Sequence, residues 1–412
     1  MYPIDNNLLE RFRTEQQEVR LAFRKLNDGS EINIVEADVT SMSINRYCSD
    51  SNGVMLGNTT AAELKVSINN FDSKYTSQQF ENCEVYAFIG TYDYLELNNG
   101  DLLAVNNDMF ALSIGMPMGV FVVDEVYREK STIRIVALDR MVLFDDYADF
   151  SNLAFPCSLG TIYTYICGKC GIEVATSAAS LPETSLMVYE APKDTSLTYR
   201  RVLAMIAEIN GMCAYFNAFG KLVVKWFDGT RMQVPKSARF ESEVAENPVT
   251  ITGVKIINGD IEYVSGTEDY MIEISGNSLI DEHTAPALAS RLNQRLNGFT
   301  WLPYLAEVFA SPHLYPLDLV SVEGVNKDTT MYPSIVTDVT FTLNRNTRIA
   351  GKGEMASYKR SVITNQTKSE RNRIIVDEQT YTTKTEFNAL EVGGANMIKN
   401  SNTFDYEEYD FV

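Results

Sequence analysis

The stretch "GMPMGVFVVDEVYREKSTIRIVALDRMVLFD", Gly115–Asp145, shows the pattern that decides the fold class. Its two segments "GVFVVDEVYR" and "TIRIVALDRMVLFD" are rich in β-branched and aromatic residues, which is typical of strands. Similar segments, separated by Gly and Asn clusters at short intervals, run from Ile32 to about Phe150. This spacing favours an antiparallel sandwich or barrel, so we predict a first barrel-like β domain over residues 31–150.

The residues before this β region have the pattern of an amphipathic helix. Over residues 6–27, apolar side chains form one stripe with charged side chains outside it, and "LNDGS" ends the pattern. The stripe consists of Leu8, Phe12, Val19, Phe23 and Leu26. We therefore predict an N-terminal amphipathic helix within residues 1–30, which must dock on its own domain or on a neighbour.

Residues 151–247 change character and predict a compact α+β unit. In "SLTYRRVLAMIAEINGMCAYFNAFGKLVVKWF", a helical stripe is followed by two strand-like segments around the turn "NAFG". Gly211 is placed to end the helix. The predicted buried stripe of that helix is Val202, Met205, Ile206 and Ile209.

The C-x-x-C pair in "YTYICGKCG", Tyr163–Gly171, raises the question of redox or metal chemistry. Apolar spacing places Cys167 and Cys170 in the last turn of a short helix that Ser158 can cap. The helix dipole disfavours a thiolate at that end, and a zinc site needs about four ligands. We interpret the two cysteines as packing residues, with a metal site or a disulfide as the alternative.

Residues 248–357 predict a second barrel-like β domain interrupted by one helix, which Gly298 closes. The predicted stripe of this helix is Ala285, Leu288, Ala289, Leu292 and Leu296. Residues 358–412 are polar and predict an extended linker or stalk, with a flexible tail as the alternative. The overall prediction is an α+β, mainly β fold, in which two barrel-like antiparallel β domains flank a small helix–hairpin unit.

Composition narrows the function classes. The chain has 412 residues, a net charge of −20, two histidines and six scattered cysteines, which suits synthesis in a reducing compartment. No apolar run is long enough to span a membrane. A protein that binds DNA through its phosphates needs a positively charged surface, whereas this chain is strongly negative. No H-E-x-x-H, G-x-S-x-G, Walker A or G-x-G-x-x-G motif occurs, so we predict no catalytic, cofactor-binding or metal-binding residues and no enzyme.

Three stretches, in this order, resemble phage tail-hub proteins, a family that includes baseplate central hubs and the N-terminal part of tail-tip or tail-associated proteins. The first is Gly115–Asp145, the second is Thr195–Phe227, and the third is "ALASRLNQRL…PHLYPLDLVSVE". In the third, Leu317–Asp318 stands where the family usually has Gly-Asp. The residues that match the family pattern are Pro117, Gly119, Phe121, Val123, Ala137, Asp139 and Met141 in the first stretch and Ala207, Gly211, Gly220, Lys221 and Leu222 in the second.

The resemblance implies a structural virion protein made in the host cytoplasm and located at the tail tip or baseplate. It implies a homotrimer that joins the tail tube or distal tail ring to spike, fibre or receptor-binding proteins, next to the tape-measure protein. Its channel passes DNA in transit during genome ejection, without specific binding. The C-terminal "GGANMIKNSNTFDYEEYDFV" is similar to the first strand of a jelly-roll or carbohydrate-binding module.

Two other functions stay open at this point. Twenty-two tyrosines and the aromatic tail are compatible with attachment to host-surface glycan. Some relatives of tail hubs carry cell-wall hydrolase modules, although the groupings that a peptidase needs are missing here.

Overall fold

The computed structural model describes residues 1–49, 54–94, 104–105, 108–109, 111–259 and 261–353. The predicted linker or stalk over residues 358–412 lies outside the described residues. The helices are α1 (Asn6–Thr14), α2 (Leu159–Lys169), α3 (Tyr199–Ile209) and α4 (Ala285–Leu296). None of the helices in these ranges is long and apolar enough to cross a membrane.

Strands supply most of the regular structure. The N-terminal strands are β1 (Glu18–Lys25), β2 (Glu31–Ile34), β3 (Val39–Tyr47), β4 (Glu63–Asn69), β5 (Cys83–Tyr94), β6 (Ala104–Val105), β7 (Asp108–Met109), β8 (Ala111–Arg128) and β9 (Thr132–Asp139). The central ones are β10 (Cys157–Ser158), β11 (Met187–Val188), β12 (Cys213–Phe216), β13 (Leu222–Lys225), β14 (Asp228–Val234), β15 (Arg239–Val244) and β16 (Val249–Thr250). The last are β17 (Gly253–Asn258), β18 (Ile261–Gly266), β19 (Met271–Ser275), β20 (Thr300–Trp301), β21 (Tyr304–Val308), β22 (Asp318–Glu323), β23 (Met331–Ile335), β24 (Asp338–Thr342) and β25 (Thr347–Gly351).

The prediction of one helix over residues 6–27 was wrong beyond Thr14. Residues 18–25 form β1, which pairs with β2 and β5. Val19 and Phe23 fit helical spacing, but Leu21 between them is also buried, and this period of two is that of a strand. Leu26, the last residue of the predicted stripe, is 55% exposed.

One large sheet joins the two β regions. Its strand order is β15-β21-β25-β24-β3-β4-β9-β8-β5-β1-β2. The link is the antiparallel ladder of β24 with β3, in which Val339 lies opposite Arg46. The order has two ends, so this sheet is open rather than a closed barrel. The prediction of an α+β, mainly β fold is confirmed, with open sheets in place of barrels.

The second β region is not purely antiparallel as predicted. Strand β14 pairs in parallel with β22, and β17 pairs in parallel with β19. The chain reaches β19 after the intervening β18, which pairs antiparallel on the other side of β17. The resulting three-stranded sheet is mixed.

In the described part of the chain, three apolar cores lie under these sheets. In the N-terminal core, inward side chains of β1, β2, β3, β4, β5, β8 and β9 meet around Phe12 of α1, so this part of the sheet curls around its own interior. A small core lies between β21, β24 and β25 on one side and β14 and β22 on the other. The largest core holds α2, α3 and the β12–β13 hairpin together with α4 and β17. Residues 253–296 therefore pack with the helix–hairpin unit rather than with the second β region in which the sequence placed them.

Helices α3 and α4 bury the residues that the sequence predicted as their apolar faces. Ser158 caps α2 by accepting a hydrogen bond from the Thr161 amide at 3.2 Å. Gly211 and Gly298, which follow α3 and α4, have φ of +61° and +84°. Those values lie in the left-handed region that glycine adopts at little cost. The buried faces are the predicted ones: Val202, Met205, Ile206 and Ile209 in α3, and Ala285, Leu288, Ala289, Leu292 and Leu296 in α4.

Candidate functional site: a junction of the three cores

The C-x-x-C pair belongs to the largest core. Cys167 is buried in it, and the half-buried Cys170 packs against it, which confirms that both side chains pack. Burial raises the pKa of each thiol to about 12. The nucleophilic and metal-ligating form of cysteine is the thiolate, so the structure keeps both groups in their inert form at neutral pH.

The first resembling stretch builds the β8–β9 hairpin and the 3₁₀ turn Arg140–Phe144. Asp139 caps this turn: its carboxylate accepts a hydrogen bond from the Met141 amide at 3.0 Å. Asp139 is 4% exposed, and burial raises the pKa of its carboxyl to about 6. Gly119 has φ of +142°, opposite a register shift in β5 between Ala87 and Phe88. The matched residues thus form a turn and a bulge that depend on these residue types.

The second resembling stretch brings its hairpin turn onto β8. A Cβ at Gly220 would lie 2.9 Å from Val120, so only glycine allows this approach. The Gly220 carbonyl accepts a hydrogen bond from Arg140 Nη1 at 3.3 Å. Arg140 also forms a two-point ion pair with Glu84 of β5, at 2.8 and 2.9 Å. The hairpin is therefore tied to the first β region by both shape and charge.

The third resembling stretch contains Leu317 in the left-handed region of backbone conformation, which glycine adopts at little cost. Leu317 has φ of +71° and is fully buried. Asp318, 1% exposed, accepts a hydrogen bond from the Tyr315 amide at 2.8 Å and lies 3.6 Å from Lys225 Nζ of β13. The tight turn is kept although the sequence departs from Gly-Asp.

These three stretches meet around one buried guanidinium, that of Arg46 on β3. Arg46 is 4% exposed, and its Nη2 donates to the carbonyl of Met118 in the first stretch. Its guanidinium carbon lies 4.3 Å from the ring centroid of Tyr315 in the third stretch. Tyr315 in turn contacts Tyr215 of the second stretch, with ring centroids 6.0 Å apart. We call this arrangement the junction and define it by Arg46, Met118, Tyr215, Tyr315 and Asp318.

The junction is suited to holding the two β regions and the helical unit together. Its charged groups, Arg46 and Asp318, are buried: Arg46 Nη2 donates to the Met118 carbonyl and Asp318 accepts from the Tyr315 amide, whereas Arg46 Nη1 has no hydrogen-bond partner among the described residues. Removing one partner of a buried charge is costly. Because strand β3 also carries the ladder to β24, the junction lies where the two β regions and the helical unit all meet. The junction thus lies between the cores: Met118 belongs to the N-terminal core, Tyr215 packs against the largest core, and Asp318 begins β22, whose Val320 and Val322 belong to the small core.

Neither histidine is part of the junction as defined, although His313 lies two residues before Tyr315 in the third stretch. His313 is buried, and burial lowers the pKa of its imidazole to about 4. His283 is exposed after β19. Within the described ranges, no group of three or more His, Cys, Asp or Glu side chains is placed to hold a metal ion.

Sequence reasoning missed Arg46, although a signal was present. Met42, Ile44 and Arg46 alternate along β3, and the first two face the core. A charged residue at an inward position of an alternating strand needs a buried partner. The partners come from residues that are distant in the sequence, so only the structure identifies them.

Sequence reasoning also missed β15, the strand at one end of the large sheet. Residues 240–243 are exposed on both faces, so they lack the alternation that marks a strand. Phe240 is 54% exposed and packs against Phe309 with ring centroids 4.8 Å apart. Glu241, Glu243 and the following Glu246 are exposed and form no ion pair with any described residue. We call residues 239–246 the acidic edge.

Comparison with known proteins gives structural matches only. No family model matches the chain, and no curated protein sequence matches it. The solved structures similar to this chain include the 43 kDa tail protein of prophage MuSo2 from Shewanella oneidensis, at 14% identity and a TM-score of 0.48 over 82% of this chain and 97% of that one.

Two further tail proteins are similar to a comparable extent. The tail protein from Neisseria meningitidis MC58 is 10% identical, with a TM-score of 0.48 over 83% of this chain and 98% of that one. Prophage tail protein gp18 from Listeria monocytogenes EGD-e is 9% identical, with a TM-score of 0.49 over 86% of this chain and 99% of that one. All three are described as tail proteins, two of them from prophages.

Proposed function

We propose that this chain is a structural tail protein: a trimeric hub or tail-tip protein that joins the tail tube to the distal spike or fibres. Its direct partners are two further copies, the tube or distal tail ring, the spike, fibre or receptor-binding proteins, and the tape-measure protein. It works by architecture, and we assign no reaction to it. Its place is the tail tip or baseplate of the particle.

The observation that carries the proposal is the meeting of the three resembling stretches at the junction. They are far apart in the sequence, and each supplies a different contact to one buried cluster around Arg46 and Tyr315. A hub that transmits force between a tube and a spike has to be rigid across its parts. A buried cluster of this kind supplies that rigidity, because an interior packed to high density resists deformation.

The open sheet supports assembly with other chains. At the end opposite the acidic edge, β2 pairs only with β1 among the described residues. Unpaired strand edges are covered in stable proteins, and closed rings of identical copies are a common way to cover them. Three-fold closure through such edges is our proposal for the ring.

Charge supports passage of DNA without binding. The net charge of one chain is −20, so a trimer carries about −60. Surface charge is screened within about 8 Å at physiological salt, so the repulsion acts at the channel wall and prevents adhesion of a polyanion.

Symmetry-resolved electron microscopy of purified particles, with the chain marked by a bound antibody fragment, tests this proposal. We expect three copies in a ring at the distal end of the tail tube. A chain that is absent from the tail, or present there as single copies on the outside, would contradict it.

A second candidate function is attachment to host-surface glycan. Tyr147 and Tyr189, in the helical unit, are 71% and 59% exposed, and aromatic rings at a surface can stack on sugar rings. Binding of the isolated chain to a glycan array, lost in Tyr147→Ala and Tyr189→Ala, would favour this role over a purely architectural one.

A further inference from the structure

A polar cleft lies at one end of the N-terminal β region, outside the junction. Three parts of the chain form it: the end of β1 with the turn that follows it, the segment 76–82 before β5, and the end of β8 at Arg128. Its volume is about 580 Å³, which falls within the range of about 300–1,000 Å³ that is usual for small-molecule sites. The cleft is therefore large enough to hold a small ligand.

Side-chain amides and hydroxyls make up most of the lining. Five of these side chains form no hydrogen bond with any described residue, so their polar groups are open to a ligand. The five residues are Asn27, Ser77, Gln78, Gln79 and Asn82. Each amide offers two donors and an acceptor, and a hydroxyl offers both functions in one group. The lining therefore suits a ligand that itself presents several neighbouring donors and acceptors.

The charged groups of the cleft leave little net charge in it. Arg128 Nη2 lies 3.1 Å from each carboxylate oxygen of Glu81, so these two charges neutralise each other. Lys25, the remaining charged residue of the lining, forms no ion pair with any described residue. Pockets for drug-like molecules are mainly apolar, and phosphate sites commonly use arginine pairs. A saccharide, whose ring carries several neighbouring hydroxyl groups, matches this lining better than either of those ligand classes.

The wall of the cleft formed by residues 76–82 is fixed to the strands beneath it. Phe80, within this segment, is fully buried and packs against Phe23 of β1 with ring centroids 4.9 Å apart. Arg128 Nη2 also donates to the Gln78 carbonyl at 3.1 Å, and its guanidinium carbon lies 5.7 Å from the centroid of the Phe80 ring. A site that is already ordered loses less conformational freedom when a ligand binds.

We propose that this cleft binds a saccharide, through hydrogen bonds from the side-chain amides of Asn27, Gln78 and Gln79 to the sugar hydroxyls. Such a site serves the second candidate function, attachment to host-surface glycan, and its biological role rests on that function. It lies on the N-terminal β region, whereas the exposed tyrosines Tyr147 and Tyr189 lie in the helical unit. Sugar binding here does not depend on the chain being a trimer.

A glycan array probed with the full-length chain tests the site. We expect the wild-type chain to bind, and we expect Asn27→Ala with Gln79→Ala to lower its affinity for the strongest printed saccharide at least about tenfold, because two hydrogen-bonding groups are lost. Both side chains are exposed, so thermal unfolding of this double variant should match that of the wild type. The matched control, Asn247→Ala with Gln294→Ala, removes two exposed amides outside the cleft and should bind as the wild type does.

Two results would overturn the assignment of this cleft. Binding that persists in the cleft variant and is lost in Tyr147→Ala with Tyr189→Ala would place the sugar on the helical unit, and attachment to glycan would still stand. A wild-type chain that binds no printed saccharide would overturn both the cleft and attachment to glycan. Neither result bears on the structural role in the tail, which electron microscopy of the particles tests separately.

Discussion

Leu317 is the residue at which packing and backbone conformation are in conflict. Its side chain is fully buried, while its φ of +71° costs an L-residue about 1 kcal/mol. Leu317→Ala loses the packing and keeps that cost, so we expect a destabilisation of about 3–5 kcal/mol. Leu317→Gly loses slightly more packing but relieves the backbone. In urea denaturation, we expect the glycine variant to be about as stable as the alanine variant or more stable.

Leu314 is the matched control for this comparison. It is fully buried three residues earlier and is not among the residues with positive φ. There, glycine should be less stable than alanine by about 0.5–1 kcal/mol, which is the usual order. If the glycine variant is also less stable than the alanine variant at Leu317, the backbone of the turn is not strained.

Asp139 makes stability depend on pH in a direction opposite to that of most carboxyl groups. Burial raises the pKa of its carboxyl to about 6 in the folded chain, from 3.8. The folded state therefore binds the proton more tightly, and the stability that this contributes is present below pH 4 and lost as the pH rises through 6. Asp139→Asn keeps an oxygen that can accept from the Met141 amide and removes the buried charge. We expect the stability of this variant relative to wild type to rise by up to about 3 kcal/mol between pH 4 and pH 7.

Thermal unfolding of both proteins at several pH values checks this difference. Glu246→Gln, which also removes one negative charge but at an exposed position, is the control and should show a much smaller change. A stability difference between Asp139→Asn and wild type that falls as the pH rises would contradict the assignment.

At the scale of elements, the β12–β13 hairpin depends on a close approach at its turn. A Cβ at Gly220 would lie 2.9 Å from Val120 and 3.3 Å from Arg140 Nη1, and the residue has φ of +68°. Gly220→Ala therefore both strains the backbone and displaces β8. We expect it to lower the free energy of unfolding by about 2–4 kcal/mol in denaturant titration.

Gly298 distinguishes the cost of backbone strain from the cost of a steric clash, because it has φ of +84° but faces open space. A Cβ added there would meet no atom of the described residues within 4 Å, apart from its own chain neighbours. Gly298→Ala should cost about 1 kcal/mol, from the backbone alone. If Gly220→Ala and Gly298→Ala lower the free energy of unfolding equally, there is no steric clash between the hairpin turn and β8.

Elements with a single buried face could be predicted from the sequence, and elements without one could not. The stripes of α3 and α4 were predicted correctly because each has one buried face and a glycine after its last turn. Strand β1 was mistaken for a helix because its alternation followed directly on the stripe of α1. Strand β15 was missed because it has no buried face at all.

The junction shows the same limit. Its three contributing stretches were recognised from their residues, but their meeting point was not, because the Arg46 contacts span from 72 to 269 residues of sequence. Local patterns report which face of an element is buried. They do not report which distant element covers it.

At the scale of the whole molecule, the two β regions that the sequence predicted as separate domains share one large sheet, which runs from β15 to β2. Each β region has its own core, as the sequence patterns indicated. The β3–β24 ladder joins them, and nothing in either strand alone signals that pairing. The junction lies beside this ladder and connects it to the helical unit through the Arg46–Tyr315 and Tyr315–Tyr215 contacts.

We propose that three copies of this chain form one ring, and the mass of the purified full-length chain in solution tests this proposal most directly. One chain has a mass of 46.3 kDa. Light scattering coupled to size-exclusion chromatography should give about 139 kDa, unchanged on tenfold dilution at physiological salt. A mass of one chain at every concentration, with the protein folded, would contradict the account.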